Sequence, residues 1–128
     1  MKRVTGLGGV FFKSQDPTTM NEWYRKHLGI EAGDGGAMFE WRDMEKSDKV
    51  CSTVWSTFPD KTKYFEPSQK EFMLNYRVEN LEGLLEVLRK EGVTVVGGLE
   101  KHEYGKFGWI MDPEGNKIEL WEPPDEKV

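Results

Sequence analysis

The feature that most narrows the fold of this chain is a pattern written twice. A strand-like run, Val4 to Lys13, leads to Asp16-Pro17-Thr18-Thr19, where an N-cap acid is followed by proline at the first helical position. Met20, Trp23, Tyr24 and Leu28 then form an apolar stripe at helical spacing, and Gly29 supplies the left-handed cap. The same order recurs from Phe72. A strand-like run to Val78 precedes Asn80, which caps a helix carrying Leu81, Leu84, Leu85 and Leu88 and ending at Gly92. A shift of 64 lays Met20 on Leu84, Trp23 on Val87 and Tyr24 on Leu88. The closing glycines are 63 apart, so one residue is gained or lost after the helix. β-rich segments follow each helix, at 38–42 and 49–58 in the first half and at 93–97, 106–111 and 116–122 in the second.

A strand–helix–strand unit cannot bury both faces of its sheet alone, so two such units should pack side by side. The predicted fold is therefore α+β: two tandem βαβββ units forming one cupped mixed sheet with the helices on its outer face. Unit one covers about 3–58, a polar linker about 59–70, and unit two about 71–123, all within a single domain spanning 1–128. The tail from Pro123 reads as frayed. A generic α+β sandwich with chance likeness between its halves is the competing architecture.

The remaining composition excludes several classes. The chain has 128 residues, enough for one core. Cys51, the one cysteine, cannot form an internal disulfide. No apolar run approaches the ~20 residues that span a bilayer, and the opening reads as a strand rather than a signal peptide. With a net charge of -5 and basic residues scattered among acids, nothing offers phosphates a basic face. A cytoplasmic protein without nucleic-acid or membrane partners is expected.

Two stretches carry a resemblance. Gly8-Gly9-Val10-Phe11-Phe12, Asp16 and Glu22-Trp23-Tyr24-Arg25-Lys26-His27-Leu28-Gly29 form the opening; Phe107-Gly108-Trp109-Ile110-Met111-Asp112-Pro113-Glu114-Gly115-Asn116-Lys117-Ile118-Glu119-Leu120 forms the close. In the hairpin turn Pro113 presets φ and Gly115 supplies a positive φ. Over roughly Arg3 to Pro123 the chain resembles the glyoxalase/bleomycin-resistance/extradiol-dioxygenase (vicinal oxygen chelate) superfamily. The resemblance implies a metal held in the cup by side chains from four strands, at positions that fall on Gly9, Trp55, Met73 and Glu119. Metal-dependent members usually carry histidine, glutamine or glutamate there, and here only Glu119 can ligate. A divalent metal is thus disfavoured and no cofactor is expected. His27 sits in the last helical turn, suited to the helix dipole, and His102 in a loop before the penultimate strand.

Strand alternation gives the lining of the cup. Glu119 pointing inward brings Lys117 and Trp121 with it. Met73 brings Asn75 and Arg77; Gly9 brings Phe11 and Lys13; Trp55 brings Thr53 and Thr57; Phe107 and Trp109 join from the penultimate strand. Glu119 is the candidate catalytic residue, as a desolvated acid able to take a proton next to a carbonyl. Phe11, Lys13, Trp55, Met73, Asn75, Arg77, Trp109 and Trp121 are the candidate ligand-binding set, with Arg77 and Lys13 able to pair with an anionic group. The expected function is binding of a small organic molecule, aromatic or anionic, without a complete metal site. It would be sequestered, as by bleomycin-resistance members, or acted on weakly through Glu119. A metal-dependent lyase, isomerase or dioxygenase of the superfamily stands as the alternative, and a non-catalytic dimerising module as a further one. A homodimer is expected.

Overall fold

The computed structural model describes residues 2–124. The elements are β1 (Val4–Ser14), α1 (Pro17–Leu28), β2 (Ala37–Arg42), β3 (Val50–Pro59), β4 (Phe72–Val78), α2 (Leu81–Lys90), β5 (Val95–His102), β6 (Gly105–Met111) and β7 (Lys117–Glu122). They build one mixed seven-stranded sheet in the order β2-β3-β1-β4-β7-β6-β5. β1 pairs parallel with β3, β4 pairs parallel with β7, and β1 and β4 meet antiparallel at the centre. The two halves are therefore related by an approximate two-fold between β1 and β4.

Both helices start and stop where local chemistry dictates. The Asp16 carboxylate accepts from Thr19 N, Asn80 accepts from Gly83 N, and Gly29 takes the left-handed cap at φ 70. No described helix is long and apolar enough to cross a membrane. The two helices lie on one face. Under α2, Val78, Leu81, Leu84, Leu85 and Leu120 form a closed core, with Tyr76, Ile110 and Ile118 against it. Tyr76 and Val78 on β4 and Ile118 and Leu120 on β7 alternate with the residues that line the helix-free face.

The halves are not equal. The first unit has two strands after its helix where the predicted βαβββ pattern has three. Between α1 and β2 there is only an isolated bridge, Gly33 to Gly36. α2 covers β5, β6 and β7, whereas α1 packs mainly on β3 and β1. With no sheet beneath part of its stripe, α1 buries no residue, and Trp23 and Leu28 stay 51% and 60% exposed. β5 also runs further than its sequence pattern suggests. It reaches His102, which pairs with Gly105 in a hairpin rather than lying in a loop. Of the frayed tail expected from Pro123, residues 125–128 lie outside the described range.

The segment between the units does not pass by as a linker. Residues 60–70 fold across the helix-free face, and Phe65 is completely buried there with Phe11, Met73 and Trp109.

Candidate functional site

Register on the helix-free face brings the acid to its neighbours. Glu119 on β7 lies directly opposite Asn75 on β4 and Trp109 on β6. Its carboxylate, 2% exposed, accepts from Asn75 Nδ2 at 2.6 Å, Trp109 Nε1 at 2.9 Å and the Tyr64 hydroxyl. Charge-assisted bonds of this kind are the strong ones, and three of them hold the group in place. Burial, followed by the charge of Glu119, pushes the Tyr64 phenol well above its ordinary value. Lys117, also buried, donates to the Tyr64 carbonyl at 2.7 Å and lies over the rings of Tyr64 and Trp109 at 5.4 and 5.6 Å. Burial pulls its ammonium below the usual lysine value. Asn75 Oδ1 has no hydrogen-bond partner, and it sits where a side chain on Gly8 would be: a Cβ there would lie 2.1 Å from it.

Towards the other end of the same face lies a buried cation. Arg77 is 6% exposed, its guanidinium 5.6 Å from the Trp41 ring and 5.0 Å from the Trp121 ring. Its side chain makes one hydrogen bond, to the Ser52 carbonyl at 3.2 Å, and no carboxylate pairs with it among the described residues. Both indoles are fixed. Trp41 donates to Thr53 Oγ1 at 2.8 Å, and Trp121 to the Tyr104 carbonyl at 2.8 Å, with Phe107 stacked on Trp121 at 6.1 Å. Gly6 is required beside Trp41, because a Cβ would come within 2.4 Å of the ring. A cleft of about 640 Å³ lies beside Arg77, its wall carrying Lys46 and Lys49 together with the carboxylates Asp48, Glu79 and Glu122.

The candidate residues thus divide. Phe11, Met73 and Trp109 gather around Phe65; Lys13 places its ammonium 5.7 Å from that ring. Asn75 joins Glu119, while Arg77 and Trp121 lie together at the other end. Trp55 does not line the face. It packs on the helix side against Phe12 at 5.4 Å and Tyr24 at 4.8 Å, and Thr57 follows it there to bond Asn21 of α1. The cause is the single-residue difference between the halves. Phe11 pairs with Ser56 in the way that Asn75 pairs with Glu119, so the counterpart of Glu119 is Ser56, one residue beyond Trp55. That residue flips the side chain to the opposite face. Tyr64, Phe65 and Trp41 escaped the sequence reading. The adjacent aromatic pair in an otherwise polar segment was the available signal.

The four positions implied for a metal are therefore Gly9, Ser56, Met73 and Glu119, and they do not fit one. Glu119 is ringed by three N–H and O–H donors, Met73 is packed into the Phe65 cluster, and a lysine ammonium lies alongside. Donors and a cation oppose a divalent ion where acceptors are needed. No group of three or more His, Cys, Asp or Glu able to hold a metal occurs among the described residues. His27 packs at a tilt against Trp23 on α1, and His102 pairs with Glu100.

Comparison with known proteins bears on the architecture. The fold is similar to methylmalonyl-CoA epimerase from Mycobacterium tuberculosis, at 22% identity and a TM-score of 0.60, covering 96% of this chain and 91% of that one. It is also similar to a Streptomyces coelicolor methylmalonyl-CoA epimerase in complex with 2-nitronate-propionyl-CoA, at 15% identity and a TM-score of 0.70, covering 98% and 99%. The Mn(II)-bound glyoxalase from Novosphingobium aromaticivorans matches at 14% identity and a TM-score of 0.64, over 95% of this chain and 40% of that one. No curated protein matches. A family model describing a glyoxalase-like domain matches residues 9–121, spanning both halves of the sheet and every residue of the Glu119 cluster, and the chain belongs to that family.

Proposed function

We propose that this protein binds a small organic anion with a flat aromatic body at the Arg77 end of the helix-free face, without a metal. The observation that carries the reading is Arg77 itself. A guanidinium keeps its charge at all ordinary pH and offers five N–H donors, of which one is engaged here. Removing such an ion from water is costly unless an anion meets it. The indoles of Trp41 and Trp121 lie near it, and the adjoining cleft supplies room for the rest of a ligand. Sequestration is favoured over proton abstraction by Glu119, since both carboxylate oxygens are already held by donors.

The probe is 1-naphthoate, followed by quenching of tryptophan fluorescence before and after exhaustive chelation. Saturable binding that survives chelation and weakens at least about tenfold in Arg77→Met is expected, the loss of one charge-assisted pair. Binding that requires added metal, or that is unchanged in Arg77→Met, overturns the reading.

A homodimer built on β2 is the accompanying proposal. In the second unit an edge strand, β5, lies beyond β6; the equivalent place beside β2 is vacant, with Met38 and Phe39 exposed on the strand and Trp23 exposed on α1. Light scattering should show a dimer that Phe39→Glu shifts to monomer; a monomer at every concentration ends the proposal. The buried free thiol of Cys51 supports a reducing, cytoplasmic setting.

A further inference from the structure

Residues 61–70 hold to the sheet in an unusual way. Their backbone–backbone hydrogen bonds stay within the segment or reach only its anchor: Thr62 N to the Pro59 carbonyl at 3.0 Å, Glu66 N to Lys63 at 3.0 Å, and Ser68 N to Phe65 at 2.9 Å. None of them joins the neighbouring strands β1, β4 or β7. Attachment rests instead on the Tyr64 and Phe65 side chains and on Lys117 donating to the Tyr64 carbonyl. The segment's two ends are pinned to β1, by Asp60 N to the Ser14 carbonyl at 2.9 Å and by Lys13 N to the Glu71 carbonyl at 2.7 Å. The stretch between them can open without breaking a ladder bond, so its opening is separable from global unfolding.

What the segment presents is a ligand's chemistry. Tyr64 offers a hydroxyl to Glu119, Phe65 an apolar ring to Phe11 and Met73, and the Tyr64 carbonyl an acceptor to Lys117. We propose that the Tyr64–Phe65 segment is a displaceable internal occupant of a second pocket, over Glu119, and that the ligand displacing it is a neutral hydroxyaromatic compound. The hydroxyl is required because the carboxylate only accepts, and its remaining partners, Asn75 and Trp109, already aim N–H groups at it. The body must be apolar because Phe11 and Met73 present no group to satisfy a buried polar atom. A carboxylate ligand is refused by the like charge of Glu119. This pocket and the Arg77 slot therefore select opposite chemistries, and the inference stands apart from the anion-binding reading.

The test uses the intact protein with 4-phenylphenol, which carries both a hydroxyl and a second ring, and its methyl ether, which cannot donate. Lys61 and Lys63 lie exposed in the segment and offer trypsin two cleavage points. Saturating 4-phenylphenol should speed cleavage after these lysines several-fold, and the ether should not. Tyr64→Ala, which removes the competing phenol, should bind 4-phenylphenol about tenfold more tightly by fluorescence quenching, because less of the population is closed. If that variant does not fold, the wild-type cleavage experiment decides alone. Cleavage unchanged or slowed by 4-phenylphenol, or an equal response to the ether, overturns the proposal and makes the segment a permanent part of the core.

Discussion

The hydroxyl of Tyr64 donates to the carboxylate of Glu119 across 55 residues of sequence, joining the segment between the two units to the last strand of the sheet. With Asn75 and Trp109 it completes a three-donor cradle around one buried acid. Glu119→Gln replaces an all-acceptor group by one that turns an N–H₂ towards those donors. Chemical denaturation should show a loss of about 2–4 kcal/mol, the scale of unsatisfied buried polar groups. A variant as stable as the wild type would mean that the cradle rearranges freely.

Tyr64 also predicts a pH dependence. Its phenol ionises near 10.0 when unperturbed, and burial beside Glu119 raises that value in the folded protein. The folded state therefore keeps a proton that the unfolded chain gives up. The stabilisation is complete below pH about 10 and is lost as the pH climbs beyond it towards the folded value. Denaturation midpoints measured from pH about 9 to about 11 should fall more steeply for the wild type than for Tyr64→Phe. The lowered ammonium of Lys117 titrates in both proteins and largely cancels in the comparison.

Gly8 makes room for the Asn75 amide. In Gly8→Ala the new methyl would lie 2.1 Å from Asn75 Oδ1 and 3.1 Å from Arg77 Cγ. Relieving that overlap must move Asn75 away from Glu119 or the strand itself, at a cost of about 1–3 kcal/mol. Gly33→Ala, where nothing lies within 4 Å, is the matched control and should be nearly neutral. Thermal melts of the two variants check the contrast.

Trp55 and Trp121 should behave differently. Trp55 sits under α1 with Phe12 and Tyr24, so Trp55→Leu should cost about 1–3 kcal/mol through lost packing and leave 1-naphthoate affinity unchanged. Trp121→Leu removes a ring beside Arg77 and should weaken that affinity several-fold. Equal effects of the two substitutions on affinity would contradict the division of the faces.

Much of this architecture is legible in the sequence. Asp16, Pro17 and Gly29 bound the first helix by chemistry confined to a few neighbouring residues, and the alternation in 72–78 and 117–122 puts Met73, Asn75, Arg77 and Glu119 on one face. Helix caps and strand parity are local properties, which is why a linear reading recovers them. Trp55 was misplaced because parity is unforgiving: the one-residue offset visible at Gly29 and Gly92 carries on into β3, and ignoring it there sends a side chain through the sheet. The third strand expected after α1 came from the repeat alone, since only the segments 38–42 and 49–58 follow that helix in the sequence. A repeat implies an element, but a strand exists only where a partner accepts its hydrogen bonds.

By itself, then, the sequence determined the doubled unit, the helix limits, the glyoxalase-like family and the inward direction of Glu119, all carried by short-range patterns. Only the tertiary structure decided that Phe65 fills one half of the face, that Tyr64 holds Glu119, and that Arg77 lies near two indoles with no carboxylate partner among the described residues. Those contacts join residues tens of positions apart, and their occurrence depends on which surfaces remain uncovered once the sheet has formed. A polar segment such as 60–70 carries no periodicity to announce that its two aromatic rings will be the ones to cover them.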